Sequence, residues 1–263
     1  MGSASRVALQ SATQQLAAAK GVSLATGEQL LAASRAIESS AQLRSVLADP
    51  AIESARKGEL LTAVFGALDG AAAEVLSRSV SSRWSTAEEL VDGVEELGIR
   101  AIALAAGPDA GIEGELFAFG RAVSSDNELE LAVGSKLGEP AAKAALVDGL
   151  LAGKAQPSTV AIVRHLVQSP RGRRIGQLLA SAADIVADAA GARIATVTSA
   201  APLAAAQLAT LEKTLGARYG QALRINLITD PTIVGGLRVQ IGDDVIDGTV
   251  AARLADLRIR LAG

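Results

Sequence analysis

Apolar positions recur along most of this chain at the three- and four-residue spacing of a helix with one buried face. Leu9, Ala12, Leu16 and Ala19 share such a face, with Gly21 as a C-terminal stop. A second helix is predicted from about Thr26 to Ser39, with Leu30, Ala33 and Ile37 inward. Asp49-Pro50 breaks the pattern, because the residue before a proline avoids the helical region. Leu61, Val64, Phe65 and Leu68 make the next stripe, and further helices are predicted over 71–82 and 86–105. Gly107-Pro108-Asp109, with Gly111, is the clearest break in the first half.

Beyond that break the pattern repeats. Shifted by 86 positions, 30–80 lies on 116–166 without a gap. Leu30, Arg35, Ser39, Leu43, Glu53, Lys57 and Arg78 then meet identical residues at Leu116, Arg121, Ser125, Leu129, Glu139, Lys143 and Arg164. Other pairs keep apolar character, among them Ile37 with Val123 and Leu76 with Ile162. One helical unit therefore occurs twice, too few times for a solenoid array.

Near residue 191 the period changes. Arg193 to Thr198 is a β-branched run after Gly191 and predicts a strand. Pro202 is expected to open a helix with Leu208, Leu211 and Leu215 on one face. Leu223–Thr229 and the alternating Leu237–Ile241 predict two more strands. Gly242-Asp243-Asp244 predicts a hairpin turn into a short fourth strand at Val245-Ile246. Thr249 can cap a last helix whose Val250, Leu254, Leu257 and Leu261 are expected to be buried on the sheet. The fold class is thus mainly α. An N-terminal helical bundle over 1–108 and a repeat-related helical unit over 109–190 precede a small α+β domain over 191–263.

Composition narrows the chemistry. Hydrophobic residues make up 49%, charged residues 20% and aromatics 2%, which fits a globular core of Ala, Leu, Val and Ile. No apolar run is long enough to span a bilayer, and Met1–Arg6 shows no signal-peptide pattern. Cysteine is absent, which removes disulfides, thiol catalysis and thiolate metal sites. A net charge of -3 gives no general attraction to nucleic acid. No phosphate-binding or dinucleotide-binding glycine pattern is present.

The remaining candidates have plain readings. His165, the single histidine, lies in an apolar helical stretch and is expected at the surface or half-buried. Pro170-Arg-Gly-Arg-Arg174 reads as a solvated loop. Glu88-Glu89 and Glu95-Glu96 read as a solvated helix face. Asp243, Asp244 and Asp247 resemble a metal cluster in composition only, since Asp-rich turns arise for backbone reasons. An enzyme built on Asp243, Asp247 and His165 is the rival from another class. No catalytic, cofactor-binding or metal-binding residue is assigned, and no cofactor is expected.

The segment from Asp230 to Leu254 carries a long ordered motif: Asp230, Pro231, Gly235, Gly236, Gly242, Asp243, Asp247, Gly248, Arg253 and Leu254. It closely resembles the C-terminal signature of the δ subunit (OSCP) family of F-type ATP synthases. Thr196 to Leu203 is similar to that family's strand leading into a helix. Each motif glycine also has a structural reading at a turn or an element boundary. The chain departs from the usual family layout of one helical bundle plus this tail, because a second helical unit is inserted.

The resemblance implies a non-catalytic peripheral-stalk subunit that joins the catalytic α/β head to the stalk and resists rotor torque. It implies two partners, the N-terminal segment of an ATP synthase α subunit and a b-type stalk subunit. It also implies a peripheral place at the cytoplasmic face of the plasma membrane, without direct membrane insertion and without nucleic acid. By helix position it suggests a partner groove at Val7, Leu9, Val75, Leu76 and Ser79, in the first helical unit. The second unit is expected to lengthen the stalk or to add contacts with it. A helical adaptor of another complex is the alternative.

Overall fold

The computed structural model describes residues 1–66, 68–135 and 138–262, with backbone alone at 256, 257 and 259–262. It divides into two compact units, Met1–Val186 and Ala187–Gly263. Thirteen helices and four strands are formed among the described residues.

The first unit begins with α1 (Ser3–Ala18), α2 (Leu24–Ser39), α3 (Ala41–Ala48), α4 (Ser54–Phe65), α5 (Gly70–Ser81) and α6 (Ala87–Ala106). It continues with α7 (Ile112–Ser125), α8 (Asn127–Gly134), α9 (Pro140–Leu151), α10 (Pro157–Gln168) and α11 (Ile175–Ala189). Local chemistry sets many starts. Ser23 caps α2 through the Thr26 amide, while the Thr26 hydroxyl accepts from the Ser23 amide. Asp69 and Thr86 cap α5 and α6 by accepting the amides of Ala72 and Glu89. Gly107, at φ +87°, ends α6 by donating its amide to the Ala103 carbonyl.

The 86-position shift carries over to these elements. Ala41–Ala48 and Ser54–Phe65 recur as Asn127–Gly134 and Pro140–Leu151, each displaced by 86 positions. The caps follow: Ser40 Oγ accepts the Leu43 amide, and Asp126 Oδ1 accepts the Leu129 amide. Lys57 and Lys143 are both buried, donating Nζ to the carbonyls of Val80 and Ser135. The match thus reaches the caps and the burial of a lysine as well as element order, while the carbonyls that the two lysines meet do not correspond.

α6 is the longest helix and is buried on nearly every side, with Leu90, Val94, Leu97, Ile99 and Ile102 all sealed. A core of α1, α2, α4 and α5 side chains, including Leu16, Leu30, Ile37, Leu61, Val75 and Leu76, closes over Val94 and Leu97. Val64 departs from its expected stripe and lies exposed, because α4 meets that core through Leu61, with Leu60 and Phe65 packed beside it.

In the second unit, β1 (Ala192–Ser199) pairs parallel with β2 (Ala222–Thr229) across α12 (Ala205–Tyr219). β3 (Leu237–Ile241) runs antiparallel to β1 and to β4 (Asp244–Asp247), giving the order β2-β1-β3-β4. Ala195, Val197, Leu223, Val239 and Ile241 form the sheet side of a small core, which Leu211, Leu215 and Tyr219 of α12 fill. α12 does not open at Pro202. Gln207 Oε1 accepts the Ala204 amide and fixes the cap there, so the helix starts at Ala205.

Thr249 caps α13 (Val250–Ala262), its hydroxyl accepting the Ala252 amide. Val250 and Leu254 are not buried on the sheet as expected but stand 40% and 53% exposed. The core beside the sheet is already filled from α12. Leu257 and Leu261 lie outside the described side chains.

Candidate functional site

Three places carry the candidate chemistry: the face formed by α1 and α5, a buried charge cluster in the first unit, and the tail motif.

The α1/α5 face is built from opposite sides of two amphipathic helices. α5 turns Val75, Leu76 and Ser79 into the core, where all three are fully buried and the Ser79 hydroxyl donates to the Val75 carbonyl. Its other side presents Ala73, Glu74, Ser77, Arg78 and Ser81. Against these α1 sets Gln15, whose amide donates to Glu74 at 3.2 Å, and Ser11, whose hydroxyl accepts from Arg78 at 2.8 Å. Ala18, Ala19, Lys20 and Gly21 extend the depression past the end of α1. The structure therefore separates the five expected groove residues. Val75, Leu76 and Ser79 stay inside the bundle, Leu9 is half-buried against its core, and Val7 is exposed.

The charge cluster was not legible as one. Glu95 on α6 is buried, and four groups meet its carboxylate or stand behind it. His165 Nε2 donates to Oε2 at 3.1 Å, and Arg173 donates to both oxygens at 2.9 and 3.2 Å. Arg171 Nη2 stands 2.5 Å from Oε2 as an ion pair without hydrogen-bond alignment, while its Nη1 donates to Asp92. Behind the ring, Arg35 on α2 donates to His165 Nδ1 at 2.7 Å. An arginine has donors only, so Nδ1 must be the acceptor and the proton belongs on Nε2. That arrangement is a neutral imidazole.

The electrostatics agree. Burial pushes His165 down, its hydrogen bond to Glu95 and the Glu95 charge push it up, and the Arg35 and Arg171 charges push it down again; the net shift is downward. Burial raises Glu95, yet the hydrogen bond from His165 and the charges of Arg171 and Arg173 outweigh it and bring it to about 2. Arg171 sits at φ +47°, in the left-handed region that non-glycine residues rarely adopt, and its two ion pairs hold it there.

Three expectations are corrected by this geometry. His165 is fully buried with both ring nitrogens occupied, so no atom of it faces solvent. Glu95 leaves the solvated face because three basic side chains surround it, whereas Glu96 stays at the edge with Arg100 at 2.8 Å. Arg171 turns inward from the expected solvated loop, whereas Arg173 reaches Glu95 while staying exposed and Arg174 remains outside. Glu89 also departs, accepting from Ser5 Oγ at 2.5 Å and the Gly2 amide at 2.9 Å to fix the start of α1. A signal was available in the Glu95, His165 and double-arginine set, but nothing local showed that 70 residues of separation close to contact.

In the tail, the motif residues are used for turns. Gly236 has φ +85°, and a Cβ there would stand 2.4 Å from the Gly248 carbonyl oxygen. Gly242 has φ +57° in the β3–β4 turn. Asp230 accepts from the Thr232 amide and hydroxyl, which holds its carboxyl below the usual range. Asp247 accepts from the Thr249 amide, with a like effect. Asp243 is exposed in the β3–β4 turn, Arg253 and Leu254 are exposed on α13, and Val234 nearby is 85% exposed. No cluster of three His, Asp or Glu side chains able to hold a metal occurs among the described residues. No helix is long and apolar enough to cross a membrane among the described residues.

The chain is thus a helical scaffold with an external two-helix face and a small α+β tail. The model of the family described as ATP synthase delta (OSCP) subunit matches residues 100–261, from the last turns of α6 to the end of the tail. The ATP synthase subunit delta of Leifsonia xyli subsp. xyli is 54% identical over 207 residues, 79% of this chain and 78% of that one. That of Streptomyces griseus subsp. griseus is 42% identical over 211 residues, again 79% and 78%. The chain belongs to the ATP synthase delta (OSCP) subunit family. Because the aligned stretch takes nearly the same share of each pair, these relatives are about as long as this chain. A chain of the Toxoplasma gondii mitochondrial ATP synthase hexamer superposes with a TM-score of 0.41 at 22% identity, over 64% of this chain and 95% of that one, a likeness too slight to build on.

Proposed function

We propose that this chain is the peripheral-stalk subunit of an F-type proton-translocating ATP synthase, joining the α/β head to a b-type stalk and resisting rotor torque. It acts as a non-catalytic adaptor, peripheral to the membrane on its cytoplasmic face. The observation that carries this reading is the open α1/α5 face in a chain of this family. Ala73, Ser77 and Ala18 are small, so a helix can approach closely, and Glu74 and Arg78 flank it with both charges. The occupant is the N-terminal segment of an α subunit as an amphipathic helix.

The groove residues suggested by helix position are amended accordingly. Val75, Leu76 and Ser79 support the floor from inside, and Val7 and Leu9 belong to the wall helix. The tail meets the stalk through Val234, Val250 and Leu254, apolar and exposed on one unit. The test is a titration of the α N-terminal peptide against the full chain and its Ser77→Arg variant. Binding to the first, with at least a tenfold loss in the second at unchanged melting temperature, supports the reading. Equal binding to both removes the groove from it.

A further inference from the structure

The repeat raises the question of whether the chain offers this groove twice. Shifting the α5 groove side by 86 positions takes Ala73, Glu74, Ser77, Arg78 and Ser81 to Thr159, Val160, Val163, Arg164 and Val167 on α10. The first set is exposed throughout. In the second, Thr159, Val163 and Val167 are fully buried. Two serines have become valines, which is the chemistry of a packed surface rather than a wet one.

What lies along α10 is α2 of the first repeat. Glu28 pairs with Arg164 at 3.8 Å, Arg35 donates to His165 at 2.7 Å, and Glu38 accepts from Ser169. Three contacts, from 28, 35 and 38 to 164, 165 and 169, tie α2 to the C-terminal end of α10. The same shift sets α1 on α6, the helix buried on nearly every side. Both walls of the second groove are therefore interior.

We infer that the duplication leaves one receptor groove per chain: the α10 face that answers to the groove side of α5 is seated on the first repeat, and α1/α5 alone is open to a partner helix. This rests on the proposed reading of the α1/α5 face. The second repeat is then a rigid extension locked to the first through α2, α6 and the Glu95 cluster, and family membership over 100–261 does not make it a receptor.

The chain contains no cysteine, so single-cysteine labelling reports each face without a background. Ser77→Cys and Ser81→Cys in the full chain should react with a maleimide at the rate of an exposed thiol. Val163→Cys and Val167→Cys, close in volume to the residues they replace, should react at least a hundredfold more slowly until denaturant is added. Comparable rates at the two faces in folded protein would overturn the inference, and either valine position suffices if the other variant does not fold. Adding the α N-terminal peptide should protect Ser77→Cys and Ser81→Cys at one peptide per chain. Two peptides per chain, with protection at Val163→Cys, would also overturn it. Slow labelling at α10 with no peptide protection anywhere would keep the closed seam and reject the proposed occupant of α1/α5.

Discussion

Gly27 on α2 lies against Gly98 on α6 with no room for a methyl group between them: a Cβ at Gly27 would stand 2.8 Å from the Gly98 carbonyl oxygen and 2.3 Å from Ile102. This crossing holds the two helices that both halves of the first unit use. Glycine on each side lets the backbones approach as closely as the small-residue composition of the chain invites. Gly27→Val should therefore destabilise the first unit by about 1–3 kcal/mol through overpacking. Chemical denaturation followed at the helical signal measures it, and an unchanged midpoint would show that the crossing gives way without cost.

The Glu95 cluster makes stability depend on pH in one direction. Glu95 falls from 4.5 to about 2 on folding, so its contribution is complete above 4.5 and is lost as pH drops through the folded value. The unit-for-unit equivalent is on the order of 3 kcal/mol. His165 is also lowered from 6.5, so the unfolded chain takes up its proton first and stability declines as pH falls below 6.5. Thermal melts should drop between about pH 7 and pH 5, and His165→Gln should flatten that part of the curve. A wild-type melting temperature that rises on acidification would contradict the neutral imidazole.

Ser40 and Asp126 are equivalent caps in the two repeats, each accepting the amide of a leucine three residues on. Ser40→Ala and Asp126→Ala should each cost about 1 kcal/mol. Hydrogen exchange should show the loss at the start of α3 in one variant and of α8 in the other. A silent Asp126→Ala would mean that the second repeat does not depend on the feature it shares with the first.

Gly236→Ala should destabilise the tail by more than about 1 kcal/mol, because the residue sits at φ +85°. A methyl group there also strikes the Gly248 backbone. Exchange protection across β1 and β3 reads the effect. Gly235→Ala, where a Cβ meets only Val250 at 3.4 Å, is the control expected to change little.

Much of the fold was legible because it is local. The Leu30, Ala33 and Ile37 spacing, the Asp49-Pro50 break and the Gly107 stop each follow from backbone rules within a few residues. The alternation in Leu237–Ile241 likewise placed β3 at its observed bounds. Failures occurred where a residue's environment comes from far along the chain. Glu95 looked solvated because its neighbours in sequence are Glu96 and Val94, while its neighbours in space are His165, Arg171 and Arg173. Val250 and Leu254 looked like core because helical spacing shows that a stripe exists, not which surface covers it. The five residues suggested for the groove lie on α1 and α5, and Val75, Leu76 and Ser79 are on the buried face of α5. Periodicity names two faces, and only packing of α5 against α1 and α6 distinguishes them.

The central claim is that this chain binds the synthase head as an adaptor. Its most direct test is calorimetric titration of the full chain into a catalytic head from which the δ subunit has been removed. Saturable binding near one chain per head, weakened by Ser77→Arg, is the predicted result. No heat and no co-migration with the head at micromolar concentration, from protein shown to be folded, would contradict it.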